Sequence, residues 1–240
     1  MARQPRLPVS SRVRVRRLHE RGRYDRASIY AILDAAFLCH IGYAIDGQPY
    51  VTPTSYWRDG DTLYWHGSAA SRMLKAPAQG IPVCFTVTLV DALVLARSAF
   101  HHSVNYRSVM AFGRARPIAG RAEKLAAMEA FVERMFPGRW TELRPPLEQE
   151  VKATAVLAMP IEEASAKVRS GPPIDADPDY ALPIWAGLLE LETVVAGLSG
   201  DGRGVGAGPP PVHLANYGPG RTFAELLAAA ARRGAAPAAD

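Results

Sequence analysis

Two cysteines, Cys39 and Cys84, are all that the 240-residue sequence contains. That is too few for a disulfide framework or a cysteine-rich metal site, so a reducing, cytoplasmic setting is the expectation. No run of about eighteen apolar residues occurs, and no membrane span is expected. The N-terminus is basic but lacks the apolar segment of a secretory leader. A nucleophile elbow is absent, no Ser/His/Asp set occurs in a catalytic order, and Asp34 and Asp46 show no pairing suited to hydrolysis. The Gly-Asp-Gly-Arg-Gly-Val-Gly run of the tail lacks both the following Lys-Ser/Thr and the preceding strand of a phosphate loop, so it reads as a linker. What is present is ordinary for a globular chain: 48% hydrophobic and 21% charged residues. That is enough for one large domain with extensions, and global disorder is not expected.

The formal charge of +5 is unevenly spread. Residues 1–26 carry nine arginines against Glu20 and Asp25, a local +7, which leaves the rest of the chain at −2. The basicity therefore belongs to a leading arm, residues 1–24, expected to be a solvated tail or a strap over the protein's own surface. Nucleic acid is not the expected partner, because no reading motif accompanies the charge.

Periodicity sets out the body, residues 25–196. Asp25 can cap a helix over 26–37, where Ile29, Ile32, Leu33, Ala36 and Phe37 form one stripe. Residues 38–45 read as extended, and Asp46-Gly47-Gln48 as a tight turn. In the strand from Tyr50 to Trp57, Tyr50, Thr52, Thr54 and Tyr56 share one face, with Val51, Pro53, Ser55 and Trp57 on the other. Pro53 cannot donate to a ladder, so an edge, a bulge or a ligand is expected there. Asp59-Gly60 turns the chain into Leu63–His66, and a helix follows over 69–78. Pro82 to Arg97 is a long β-rich run with a bend at Asp91-Ala92, and Val104 to Ile118 reads as a strand. A helix over 121–136 has Leu125, Met128, Val132 and Met135 as its expected buried stripe, closed by Pro137-Gly138. Lys152 to Glu162 is a further strand, and Ile184 to Val195 a last strand or short helix. Residues 197–240 are a Gly/Pro/Ala-rich linker and a tail whose Arg221–Arg233 segment docks as a helix or stays mobile. The fold class is α+β, mainly β, built as an antiparallel barrel with flanking helices.

One stretch carries chemistry. Tyr64-Trp65-His66-Gly67-Ser68 leads into Ser71, Arg72 and Lys75 at a helix start, where unpaired N–H groups and the positive dipole end favour an anion. Arg72 and Lys75 are three apart and can converge on one phosphate. The competing reading is a solvated basic helix start. A strand carrying Thr54 and Tyr56, beside one carrying Tyr64 and His66, would supply a flat wall and polar partners for a ring. Gly67 would let backbone approach a ligand closely. His101 and His102 adjoin in sequence but lack a third ligand at suitable spacing, so no metal site is expected. Lys167 and Arg169 read as surface charge, with Glu162 or Glu163 as partners. Trp185 reads as a packing or interface residue.

The order of these features resembles the pyridoxamine 5′-phosphate oxidase-like proteins, closest to their flavin-nucleotide-binding, nitroimidazole-resistance-type branch. The residues that carry the resemblance are Pro49–Tyr56, Leu63–Ser68, the basic helix start, Val83–Val87, Arg97–Val109 with Phe112-Gly113, and Ser165–Pro172 followed by Trp185-Ala186-Gly187. It covers residues 25–195. The resemblance implies an FMN-binding split β-barrel homodimer, with FMN in clefts between the subunits. It implies phosphate binding by Ser71, Arg72 and Lys75. The isoalloxazine would lie along Pro53, Thr54, Ser55 and Tyr56 and along Trp65, His66, Gly67 and Ser68. Tyr106 and Ser108, or the Trp185 region, would close the cleft from the partner subunit.

The function implied is an FMN-binding redox protein, an oxidoreductase acting on a small-molecule substrate, with His66 the candidate catalytic residue. Pyridoxamine phosphate oxidation itself would need a second set of basic residues for the substrate phosphate, and none is assignable. A deazaflavin- or haem-binding relative on the same fold is the first alternative, the haem reading drawing on His101 and His102. A non-catalytic flavin-binding or sensing module is the second.

Overall fold

Capping starts the body. The Asp25 carboxylate accepts from the Ser28 backbone N–H at 2.8 Å and opens α1 (Arg26–Asp34), satisfying one of the four unpaired donors of a helix start. Ile29, Ile32 and Leu33 are buried as their spacing requires. The helix stops at Asp34, earlier than the expected 37, and the Tyr56 hydroxyl donates to the Leu33 carbonyl at 2.6 Å near this end. The coordinates are a computed structural model and describe residues 7–203 and 209–234.

After α1 the chain forms β2 (Leu38–Ile45) and β3 (Gln48–Asp59), joined through Asp46 and Gly47 at φ 51° and 80°. Both central residues of this two-residue loop have positive φ, the geometry that matches strand twist in a hairpin. A second hairpin at Asp59-Gly60 leads to β4 (Thr62–Ser68). The strand β3 changes partner along its length: Gln48–Ser55 pair with β2, and Tyr56–Asp59 pair with β4. Pro49 and Pro53 fall in the part that pairs with β2 alone, where a missing N–H costs no ladder bond on the other side.

The remaining strands complete the split barrel. They are β5 (Pro82–Leu95), β6 (Ser103–Arg114), β7 (Arg116–Pro117), β8 (Thr154–Pro160), β9 (Glu163–Arg169) and β10 (Gly187–Glu190), with β1 (Gly22–Arg23) on the outer edge. Their order is β1-β9-β6-β5-β2-β3-β4-β8-β7, all antiparallel, with β10 added to the far half of β5. The run from Pro82 is one strand, and its bend is a bulge at Asp91 that shifts the register between Val90 and Ala92. The main core lies inside the barrel and includes Ile29, Leu33, Ile41, Tyr56, Leu63, Trp65, Phe85, Val87, Leu157 and Met159. A second cluster joins Trp57, Ile118, Val156 and Ala158 to α3 (Arg121–Met135) through Ala127, Met128 and Phe131. The stripe on α3 thus runs through Phe131 as well as Met128.

Of three further expectations, one is corrected and two that had alternatives are decided. First, residues 7–24 belong to the body. Leu7 and Val13 are buried, β1 pairs with β9, and Arg12 bonds Glu163 while lying over the Phe112 ring. The strap reading of the arm holds for these residues. Second, Lys152 ends a short helix, α4 (Glu148–Ala153), and the strand starts at Thr154. The Glu150 carboxylate accepts from the Leu147 N–H there, a capping signal that follows Pro145-Pro146 in the sequence. Third, the C-terminal segment docks. In α5 (Phe223–Gly234) Leu226, Leu227 and Ala230 are buried, and Phe223 packs edge-on to Phe37 at 5.2 Å. Buried Arg134 donates to the carbonyls of both Leu227 and Asp34, tying α5 and α1 to α3. Part of the glycine-rich linker, 204–208, lies outside the described residues.

Because Trp65 is fully buried at the barrel centre, Trp65→Ala is expected to cost about 3–5 kcal/mol in urea unfolding, against about 1 kcal/mol for Tyr56→Phe, which loses only the bond to Leu33. A Trp65→Ala cost below that of Tyr56→Phe would contradict this core.

Candidate functional site

The basic corner forms as the sequence suggests, with a shorter helix. Its helix, α2 (Arg72–Ala78), follows Ser71 at the N-cap position, while Met73, Leu74 and Pro77 turn inward. That packing leaves Arg72 and Lys75 on the exposed side. The Arg72 guanidinium lies over the Tyr50 ring, 4.9 Å from its centre, a contact that orients a cation without neutralising it. Among the described residues neither Arg72 nor Lys75 pairs with a carboxylate. Just upstream, a Cβ on Gly67 would sit 3.2 Å from the Leu74 side chain. The glycine is thus what allows β4 and α2 to meet closely at this corner.

The ring-wall residues divide between two faces of the sheet. Tyr56 stands directly opposite Trp65 across the β3–β4 ladder, and Trp57 opposite Tyr64. So Tyr56 and Trp65 share the inner face, where both side chains are buried in the core. Tyr64 and His66 lie on the other face, beside Trp57. The expected wall, Thr54 and Tyr56 with Tyr64 and His66, is therefore not one surface; the ladder register sets these pairs back to back. Thr54 points inward, with its hydroxyl 3.5 Å from the His66 carbonyl. Tyr56 and Trp65 can offer a ligand only their backbone.

Pro53 and Ser55 face outward and stand opposite His40 and Leu38 of β2. Thr86 continues this row on β5 and Met110 on β6. Ser108 and Tyr106 lie on the same outer face of β6, pairing with Thr88 and Val90. Three strand spacings separate Pro53 from that strand, roughly 14 Å. Arg72 meets β3 at Tyr50, on the face opposite to Pro53 and Ser55, and Tyr106 and Ser108 lie at a distance from Pro53.

His66 packs against Phe131 at 4.6 Å and Trp57 at 6.0 Å, and its Nδ1 is buried without a hydrogen-bond partner. Burial pushes its pKa below the ordinary 6.5, since the apolar surroundings disfavour the charged ring. The other histidines of interest sit elsewhere. His101 Nδ1 is 3.4 Å from the Asp175 carboxylate, with Asp179 in the same group. Spacing in the sequence did not reveal these two acids, but Asp175 is already held by the Arg97 N–H and guanidinium. His102 Nδ1 is 3.0 Å from the Ser98 carbonyl. Trp185 is exposed and folds over Gly187, where a Cβ would meet its ring at 2.7 Å. Arg169, expected on the surface, is buried and donates to the Asn105 side chain and the Gly171 and Pro172 carbonyls.

Sequence reasoning missed a second feature. Beyond the start of β2, a cleft of about 1140 Å³ opens between β2, β5 and the returning C-terminal segment. Phe37, Leu38, Val90, Leu188 and Phe223 give it apolar walls, and His40, Arg107 and Arg169 line it together with the carboxylates Asp91, Glu190 and Glu192. The available signal was His40 itself, a polar residue alternating with Cys39 and Ile41, whose side chains enter the core.

A family model of pyridoxamine 5′-phosphate oxidase matches residues 25–168. This chain belongs to that family. The solved structure of the flavocytochrome Anf3 from Azotobacter vinelandii is 45% identical, with a TM-score of 0.83 over 89% of this chain and 99% of that one. The FAD and haem binding protein from Mycobacterium smegmatis is 35% identical, with a TM-score of 0.77 over 83% of this chain and 98% of its own. A protein described as a 5-nitroimidazole antibiotic resistance protein, from Bacteroides thetaiotaomicron, is 23% identical with a TM-score of 0.50, over 61% of this chain and 86% of its own. It shares the fold. A search of curated proteins gives no match. The described helices include none long and apolar enough to cross a membrane.

The His66 environment has a pH consequence. With its folded pKa below 6.5, the unfolded chain binds more protons between the two values, so stability is lost as pH falls through that window. The His66 ring is expected to titrate below 6.5 by NMR, and His66→Gln to flatten the fall in urea stability between about pH 7 and pH 5. A His66 midpoint at or above 6.5 would contradict the buried, unpartnered ring.

Proposed function

We propose that this protein is a flavin-nucleotide-binding redox protein, working as a homodimer on a small-molecule substrate or electron partner. The observation that carries the reading is the corner at Ser71, Arg72 and Lys75: two exposed cations without acidic partners among the described residues, at a helix start, with Arg72 over Tyr50 of β3. This donor set suits a phosphate. The flavin is FMN or, as the name of the Mycobacterium smegmatis relative suggests, FAD. Pro53, Ser55, Gly67 and Ser68 are the groups on hand for its ring and ribityl chain. When bound, the flavin supplies hydride or electron-pair transfer. The chain's own residues bind the phosphate, present backbone and hydroxyl groups to the ring edge, and limit water.

His66 takes a positioning role here, because its ring faces Trp57 and Phe131 and only its backbone points along the strand edge. The homodimer is supported by the outer face of the sheet. Leu38, Val51, Val90 and Met110 are 42–69% exposed on it, an apolar surface that a second copy would cover and on which Tyr106 and Ser108 could meet the partner's flavin. Cytoplasmic residence belongs to the same reading. A second component, haem alongside the flavin, is favoured because two relatives, each matching more than four-fifths of this chain, are described as a flavocytochrome and as binding FAD and haem.

Two measurements bear on this. Arg72→Ala with Lys75→Ala is expected to weaken flavin binding at least about a hundredfold, since charge-assisted contacts contribute about 1.5–3 kcal/mol each. Binding equal to wild type, by fluorescence titration with FMN and FAD, would remove the corner from the site. Light scattering is expected to give twice the 26.0 kDa chain mass; a flavin-loaded monomer would contradict the shared cleft.

A further inference from the structure

The cleft beyond β2 contains an unusual set of groups. His40 is exposed into it and has no hydrogen bond or ion pair among the described residues. The surrounding apolar walls, Phe37, Leu38, Val90, Leu188 and Phe223, could cover both faces of a large flat ring. Arg169 lines the same cleft. It is buried, yet all its bonds go to neutral oxygens, those of Asn105, Gly171 and Pro172. A buried guanidinium that meets no carboxylate is costly, so an anion placed there would recover part of the desolvation penalty. Arg107 at the cleft differs, for Asp91 already neutralises it through three contacts of 2.7–3.2 Å.

An unpartnered imidazole, apolar walls and one uncompensated buried cation together match three parts of a single ligand. They match a metal with a free axial position, a flat macrocycle and a carboxylate side chain. We propose that this cleft holds haem, with His40 as an axial iron ligand and Arg169 receiving a propionate. The assignment rests on the reading that the chain carries haem. The location has independent support from the chain's own segments. Much of the cleft comes from Arg169, Ser170, Leu188, Glu190–Thr193 and Thr222–Ala224, all beyond the 25–168 family match. The relatives named for haem extend over 89% and 83% of this chain, and the nitroimidazole resistance protein over 61%. The matches to the haem relatives are therefore longer than the family match and extend past residue 168.

His40 lies on the outer face and fills no core position, so His40→Ala should fold as wild type does. The test titrates haemin into the full-length protein, wild type and His40→Ala, following the Soret band, and records the electron paramagnetic resonance spectrum of each. The expected result is a shifted Soret maximum and an affinity lowered by more than about tenfold in His40→Ala, with the wild-type spectrum restored by excess imidazole. Rescue by a free ligand separates iron coordination from a merely structural effect. If wild type takes up haem and His40→Ala gives the same Soret band and resonance spectrum, the His40 assignment is overturned while the haem reading stands. If wild type takes up no haem, both fall. Arg169→Gln supplies the second arm: it should weaken haemin binding while leaving the spectrum of the bound form unchanged, and an unchanged affinity would overturn the propionate assignment.

Discussion

The change of partner along β3 is the constraint on which the rest depends. Up to Ser55 the strand completes the larger sheet through β2, and from Tyr56 it opens the smaller one through β4. A twelve-residue strand can serve both only by twisting, and its right-handed twist turns the two sheets around one core. The same switch leaves one edge of Pro49–Ser55 unpaired in the ladder, and the two prolines occupy that stretch. An open strand edge, a hairpin return and the α2 corner therefore meet in one place. The candidate phosphate corner is a consequence of how the barrel splits.

Arginine fastens the outer layers to this core. Arg134 is buried and reaches carbonyls at the end of α1 and within α5, so three helices share one guanidinium. Arg58 clasps the Asp34 carboxylate through two bonds and stacks on Tyr30. Arg12 binds Glu163 over Phe112 and holds the N-terminal strap on the sheet. A planar fork that bonds several oxygens at once suits this work better than lysine would. Arg169, like Arg134, meets only neutral oxygens, but it lines the cleft and so leaves charge there.

Much of the fold was legible because local rules agreed with one another. Asp25, the Asp46-Gly47 turn and the Asp59-Gly60 turn set where elements begin and reverse, and the apolar alternation of β2 and β5 assigns their faces. Where reading failed, the cause was a rule acting between distant residues. Tyr56 looked available to a ring because its face was clear, but the ladder with Trp65 puts that face inside the barrel. Arg169 looked like surface charge because its partners are carbonyls and an amide from β6 and the following loop, which no spacing in the sequence displays. For residues 7–24 the dominant arginines left a tail and a strap both open, and burial of Leu7 and Val13 decides for the strap.

By itself the sequence determined the elements, the barrel class and the basic corner, since each rests on contacts within a few residues: a cap, a two-residue turn, a helix start with two cations one turn apart. Only the tertiary structure decided which side chains share a surface. It turned Tyr56 and Trp65 inward, set His66 against α3, and brought the C-terminal return over the far half of β5 to form a cleft around His40. Those outcomes depend on strand register and on the docking of segments some 150 residues or more apart in the chain. A one-residue change of register exchanges the two faces of a strand, and no local pattern around His40 or Arg169 encodes it.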